Sequence, residues 1–167
     1  MIQPNGRHYE ALMMIKEFYG SLRAKRSQVP LMNHITEGVE ILRNEGTTMH
    51  VQAAFCIHPL IQADDDLPEN ISWCVEKLHP NVVYLALQYR EYANSYLCKP
   101  ETDYYSLEAV HNLLKDCPRD VLIMLYADKV QNQKDFLLYH LDTHERANQL
   151  KSYFEKWIAV LHELLHR

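Results

Sequence analysis

A chain of 167 residues with 47% apolar residues is long enough for one domain with a single hydrophobic core. Its net charge of −5 argues against a general nucleic-acid-binding protein, because such proteins are normally basic. No stretch approaches the ~20 apolar residues of a membrane span, and the N-terminus carries no apolar signal-like segment. We therefore expect a cytoplasmic protein that binds neither membranes nor nucleic acid.

Apolar residues recur at helical spacing along most of the chain. The acidic run 64–66 is predicted to be a loop, with Pro68 in the first turn of a helix that follows it. The other predicted helices span residues 9–22, 34–44, 51–61, 81–97, 102–115, 118–130 and 142–166. The pattern indicates an all-α fold, a bundle of seven or eight helices that forms a single domain over residues 1–167.

One predicted helix, at residues 51–61, is apolar nearly all round, which is typical of a central, buried helix. Pro59 lies inside it and is expected to kink or restart the helix, since proline offers no backbone N–H. Cys56 lies in the same apolar run, and the four cysteines include no Cys-x-x-Cys pair. We expect free thiols rather than disulfides or zinc ligands.

Three polar residues on separate predicted helices form a candidate divalent-metal site: His34, His58 and Asp128. Ligands on three buried helices can converge readily in a helical bundle. Gln62 and Asn132 follow His58 and Asp128 at i+4 and would share their helix faces. We therefore expect the side chains of His34, His58 and Asp128 to meet in one cavity.

Each of these residues also has an ordinary structural explanation. A single histidine on an apolar face is most often a hydrogen-bonded core residue, and Asp128 could simply be paired with a lysine. The remaining histidines are predicted to lie on solvated faces, including two pairs at i, i+4 spacing: His140 with His144, and His162 with His166.

Three segments of the chain resemble the RelA/SpoT-type HD domain. Residues 25–34 (KRSQVPLMNH) are similar to its start, where a basic pair, a Ser-Gly-x-Pro turn and a histidine occur in that order. Residues 53–58 (AAFCIH) are similar to the Ala-Ala-x-x-Leu-His that precedes the aspartate of its His-Asp motif. Residues 120–132 (DVLIMLYADKVQN) are similar to its Leu-Ala-Asp-Arg-x-x-Asn segment, so the resemblance covers about residues 22–137.

The resemblance implies a function and a set of site residues. That family hydrolyses the 3′-pyrophosphate of guanosine alarmones with a manganese ion. The matching positions imply that His34, His58 and Asp128 are metal ligands, that Lys25 and Arg26 lie near the nucleotide, and that Asn132 contacts it.

The sequence departs from the family where the chemistry takes place. The aspartate after the second histidine is Pro59 here, and the Glu-Asp pair implicated in activating water is replaced by Gln62 and Ala63. None of the three replacements can carry a negative charge or accept a proton. Gln62 can still orient a water molecule, and the lost carboxylate predicts either no metal or a weakly bound divalent ion, manganese if one is present.

The acidic run after Pro59 offers one way to recover the missing chemistry. If Pro59 shifts the register of the chain, Asp64, Asp65 or Asp66 could turn back toward the site and act as the catalytic base. The alternative explanation is that residues 64–66 form a solvated loop.

The sequence favours a degenerate HD domain that binds or sequesters a nucleotide-like phosphorylated ligand without efficient turnover. One alternative is an active metal-dependent nucleotide phosphohydrolase or pyrophosphohydrolase with a rearranged ligand set. A second alternative is a structural protein–protein interaction module, for which tyrosines expected to be exposed between Tyr84 and Tyr105 could bind a protein partner or a second copy of the chain.

Overall fold

The computed structural model describes residues 6–97 and 106–167. Within these residues the chain forms an all-α bundle, as predicted, and its eight helices are α1 (Gly6–Tyr19), α2 (Met32–Asn44), α3 (Met49–Gln62), α4 (Asp66–Lys77), α5 (Pro80–Ser95), α6 (Leu107–Leu114), α7 (Arg119–Tyr139) and α8 (Ala147–Leu165). Over the same ranges there is no β-strand, and an isolated bridge joins Arg23 to Pro30. None of the described helices is long and apolar enough to cross a membrane.

Several predicted helix ends differ from the observed ones. The last helix starts at Ala147 instead of residue 142, because backbone hydrogen bonds from Leu141 to Phe136 and from Thr143 to His140 form a turn there. The predicted helix 102–115 is described only as α6, whose N-cap Ser106 accepts from the backbone N–H of Ala109. Its predicted start lies outside the described residues.

Helix α3 is the central helix of the bundle, as its sequence predicted. It packs against α1, α2, α4, α5 and α7. Its N-cap is Thr48, whose hydroxyl accepts from the backbone N–H of Val51. Ten of its residues are buried, from Val51 to Ile61 with Pro59 the exception, so the polar group of His58 is presented inside the core.

Of the predicted kink or restart at Pro59, the restart does not occur, because α3 continues through this residue. A proline at this position cannot donate to the carbonyl of Phe55, four residues earlier. That carbonyl instead accepts a hydrogen bond from Nδ1 of His58, at 2.6 Å. The acceptor is therefore satisfied locally, and the helix continues to Gln62.

The tyrosines expected to form an exposed surface do not share one environment. Tyr84 is 61% exposed, whereas Tyr89 is fully buried in the core. Tyr104 and Tyr105 lie outside the described residues. The described part of this segment thus offers less of a tyrosine surface than the sequence suggested.

Helices α2 and α3 approach each other closely at Gly38. A Cβ atom on Gly38 would lie 2.2 Å from Cε1 of the Phe55 ring, which is buried and cannot move without disturbing its neighbours. The same ring contacts His34 and His58, with ring centroids 5.6 and 4.8 Å away. The glycine therefore sets the spacing of two helices that carry candidate metal ligands.

We predict that Gly38→Ala lowers the free energy of unfolding by about 1–3 kcal/mol, because the added methyl group overpacks the core. The clash should outweigh the ~1 kcal/mol by which alanine normally favours a helix relative to glycine. Urea denaturation measures the change, and Glu40→Ala is the matched control, since Glu40 is exposed on the same helix. A Gly38→Ala protein as stable as the control would show that the helices can separate at little cost.

Candidate metal and nucleotide site

The side chains of His34, His58 and Asp128 meet inside the bundle, as the sequence predicted. One ligand atom from each lies within 4.8 Å of the others. Nε2 of His34 is 3.3 Å from Nε2 of His58 and 3.4 Å from Oδ1 of Asp128. His58 and Asp128 are buried, and His34 is partly buried. Because α2 packs against both α3 and α7, the three elements bring these atoms to one point.

The imidazole of His34 is oriented by Gln131. Nδ1 of His34 donates to Oε1 of Gln131 at 2.6 Å. The amide of Gln131 is oriented in turn by Nε2, which donates to Asp135 at 2.9 Å and to Glu37 at 3.3 Å. With Nδ1 carrying the proton, the lone pair of Nε2 is directed at His58 and Asp128.

His58 has the same tautomer for a different reason. Its Nδ1 donates to the backbone carbonyl of Phe55, which leaves the lone pair on Nε2. Burial, together with the nearby His34, lowers the pKa of His58 to about 3. The ring is therefore neutral at neutral pH, which is the form of histidine that binds a metal.

The carboxylate of Asp128 is held by two neighbours on the same helix. Nζ of Lys129 lies 2.9 Å from Oδ2, and Nδ2 of Asn132 donates to Oδ1 at 2.9 Å. Burial alone raises the pKa of Asp128, but the charge of Lys129, with contributions from His34 and His58, outweighs it and lowers the pKa to about 2. Asp128 is thus ionised, and the lysine partner left open by the sequence is its neighbour Lys129.

Lys129 is itself enclosed by the core. Its ammonium group lies over the ring of Trp157, 5.0 Å from the centroid, and over Tyr153 at 5.6 Å. Burial lowers the pKa of Lys129. The contributions of Asp128 and Tyr153 act in the opposite direction and together exceed the effect of burial, so the pKa is raised overall. Lys129 is therefore a permanent cation next to the candidate metal site.

The types of ligand atom in this site suit a divalent metal, but the net charge of the site favours weak binding. Two imidazole nitrogens and one carboxylate oxygen suit zinc or manganese, and two lone pairs 3.3 Å apart favour a cation between them. The hydroxyl of Tyr89 is buried beside His58, and burial together with the nearby charge of Asp128 raises the pKa of Tyr89. However, Lys129 already neutralises Asp128, so a divalent ion would gain no net negative charge from these residues.

A cavity of about 750 Å³ opens beside these three residues. This volume lies within the range of small-molecule sites in proteins. The predicted site residues that line it are Lys25, Arg26, His34, His58, Gln62, Asp128 and Asn132.

Lys25 and Arg26 are carried by a loop that is held in shape by its own hydrogen bonds. Gln28 adopts a left-handed conformation, with a φ of 60°, and its side chain donates to the carbonyl of Lys25 at 2.9 Å. The guanidinium of Arg23 donates to the carbonyl of Gln28 at 2.7 Å. Arg26 remains 55% exposed, and its nearest charge partner, Glu145, is 4.0 Å away, so its guanidinium can turn toward a ligand.

The residues predicted to carry catalysis lie in three different places. Gln62 lines the cavity, and its side-chain amide donates weakly to Asn94 at 3.4 Å. Asp64 is exposed, forms an ion pair with Arg90, and lines a neighbouring cavity. Asp65 occupies the N-cap position of α4 without a side-chain capping bond. Neither Asp64 nor Asp65 is among the described residues that line the main cavity.

Three residues that contact the candidate metal ligands were not predicted from the sequence: Tyr89, Lys129 and Gln131. A usable signal existed for Gln131, because Asp128, Gln131 and Asp135 recur at helical spacing along one predicted helix. No comparable signal marked Tyr89, since a tyrosine in an apolar stripe is most often core.

Comparison with known proteins supports the fold. No protein-family model matches the chain, and no curated protein matches its sequence. Among solved structures, the chain is similar to a metazoan ortholog of SpoT that hydrolyses ppGpp and plays a role in starvation responses. The TM-score is 0.70 with 17% sequence identity, and the match covers 99% of this chain and 97% of that one. The HD-domain-like fold predicted from the three motifs is confirmed.

Proposed function

We propose that this chain binds a phosphorylated nucleotide in the 750 Å³ cavity and does not turn it over efficiently. The observation that carries the proposal is that Lys25, Arg26 and Asn132 line the same cavity as His34, His58 and Asp128. A fold similar to that of a ppGpp hydrolase supports a nucleotide as the ligand.

The polar groups of the cavity suit a phosphate ester. The guanidinium of Arg26 can donate two hydrogen bonds to one phosphate, and Lys25 can add a point charge. Asn132 donates from Nδ2 to Asp128, which leaves its carbonyl oxygen as an acceptor for a hydroxyl or amino group of the ligand.

The part of the cavity around Gln62 is poor in groups that could activate water. Gln62 cannot accept a proton, and Asp64 is paired with Arg90. The pKa of Asp128 is lowered to about 2 and that of His58 to about 3, so neither is a strong base at neutral pH. These features favour binding without hydrolysis.

A metal-dependent phosphohydrolase is the second candidate. The observation in its favour is that the Nε2 lone pairs of His34 and His58 both face Asp128. A divalent metal held by these three residues would polarise a phosphoryl oxygen and acidify a bound water molecule. Gln62 would then position that water, while Lys129 would keep Asp128 ionised.

We predict that titration of guanine and adenine nucleotides will reveal a ligand with a Kd of about 1 µM or lower. Arg26→Ala should weaken its binding by at least about tenfold, because a charge-assisted bidentate contact is lost. Isothermal titration calorimetry measures the affinity, and Arg43→Ala is the matched control, since Arg43 is an exposed arginine outside the cavity.

Chemical recovery of the ligand separates the candidates. Chromatography after prolonged incubation should return the nucleotide intact. Metal-dependent release of phosphate or pyrophosphate would instead establish the phosphohydrolase. The absence of binding by any nucleotide in the panel would reject both and leave an interaction module.

A further inference from the structure

The turn between α7 and α8 brings two further histidines to the cavity. His140 and His144 both line it, together with Arg26. Both are partly buried, so they are less solvated than predicted, whereas His162 and His166 are exposed as predicted. The helical i, i+4 spacing is similar in the two pairs, but the first pair lies where α7 has ended and the chain turns back.

Each of the two imidazoles has a nitrogen available to a ligand. Nδ1 of His144 accepts from the backbone N–H of Arg146 at 3.0 Å, so the neutral ring carries its proton on Nε2 and can donate from there. Nδ1 of His140 is buried without a hydrogen-bond partner in the described part of the chain. A buried imidazole nitrogen without a partner is costly, and a bound ligand would satisfy it.

The surroundings of His144 carry positive charge. Burial and the nearby charges of Arg26 and Arg146 lower the pKa of His144, with Glu145 acting in the opposite direction. Helix α8 starts at Ala147 and has no side-chain cap, so the positive end of its dipole lies next to the turn. The carboxylate of Asp135, which also lines the cavity, is engaged by Gln131 and Lys134.

We infer that His140, His144 and Arg26 form a binding site for a phosphate-type oxyanion, separate from the candidate metal ligands. His140 follows Asp128 by 12 positions, which corresponds to about 18 Å along α7. The inference rests on the proposed function in that both use one cavity. An inorganic anion nevertheless tests this site without any nucleotide.

The test is a titration of the full chain with inorganic pyrophosphate in the presence of EDTA, followed by NMR of the Cε1–H groups of the ten histidines. Pyrophosphate should shift the resonances of His140 and His144. In His144→Asn the asparagine can still accept from the N–H two residues on, so the turn is kept while the Nε2 donor is lost. We expect its affinity for pyrophosphate to fall by about tenfold.

A second variant and a matched control keep the result decisive. His140→Ala removes a ring whose Nδ1 has no described partner and should also weaken binding. The double variant His162→Ala/His166→Ala removes an exposed pair of the same spacing and should bind pyrophosphate as the unmodified protein does. Equal affinity in all of these proteins, or shifts confined to other histidines, would overturn the inference.

The two proposals fail in different ways. Pyrophosphate binding that depends on His140 and His144 would support this site even if every nucleotide failed to bind. Nucleotide binding that is unchanged in His144→Asn, in a protein that does not bind pyrophosphate, would overturn this site and leave the proposed function intact.

Discussion

Replacing Pro59 by aspartate is expected to raise the affinity of the protein for Mn²⁺ by about 100-fold, or roughly 3 kcal/mol. Pro59 lines the cavity next to His58, at the position where the family that the chain resembles has a carboxylate ligand. A hard divalent cation gains an oxygen ligand and a negative charge from the substitution. In the unmodified protein, Lys129 offsets the charge of Asp128, so we expect little metal after gentle purification.

The matched control is Pro59→Ala, because it restores a backbone N–H in α3 without adding a carboxylate. Affinity is measured by calorimetry, and retained metal by elemental analysis after dialysis. His58→Ala in the Pro59→Asp background should abolish the gain. If Pro59→Ala and Pro59→Asp bind Mn²⁺ equally well, the missing carboxylate does not limit the metal affinity.

Pro59→Asp alone is not expected to create a hydrolase. The positions of the family's Glu-Asp pair would still be Gln62 and Ala63, neither of which can take a proton from water. Metal affinity and turnover should therefore separate in this variant, which is a sharper test of the proposed function than either measurement by itself.

The central part of the site was predictable from the sequence because it depends on helix packing. His34, His58 and Asp128 lie on helices whose apolar patterns identified them, and polar side chains buried in such helices need polar partners. The orientation of these three side chains was harder to predict. It depends on Gln131 and on the carbonyl of Phe55, which is released by a proline that the sequence marked only as a disruption.

The periphery was harder to predict because it is set by turns and side-chain pairing rather than by periodicity. The pairing of Asp64 with Arg90 joins residues far apart in the sequence, and no local pattern marks it. His140 and His144 have the i, i+4 spacing of a helix face but occupy a turn. Their spacing therefore did not indicate that they line the cavity. The ion pair is a tertiary contact, whereas the turn is set by local backbone hydrogen bonds after α7.

The second large effect that we predict concerns stability. Asp128→Asn should lower the free energy of unfolding by about 3–5 kcal/mol, because it leaves the ammonium group of Lys129 buried without its counterion. The measurement is urea denaturation at pH 7 in the presence of EDTA. Asp120→Asn, an exposed site in the first turn of the same helix, is the control and should cost at most about 1 kcal/mol.

The stabilising contribution of ionised Asp128 should also be visible in the pH dependence of the free energy of unfolding. The pKa of Asp128 is lowered from 3.8 to about 2 in the folded protein, so its contribution is fully present above pH 3.8 and is lost as the pH falls toward 2. That contribution is on the order of 2 kcal/mol by linkage. Asp128→Asn should abolish this part of the acid destabilisation, which a comparison of the two proteins between pH 2 and 5 will measure.

Removing the partner charge distinguishes a broken ion pair from a general loss of packing. In the double variant Asp128→Asn/Lys129→Met, no unpaired charge remains, and the methionine can pack against the rings of Tyr153 and Trp157 that the ammonium group now covers. Replacing a buried ion pair by groups of similar volume is often neutral, so we expect most of the lost stability to return. If the double variant is no more stable than Asp128→Asn, then the cost comes from the contacts of Asp128 with His34 and Asn132 instead. In that case the carboxylate would be held in place by the candidate site itself rather than by Lys129.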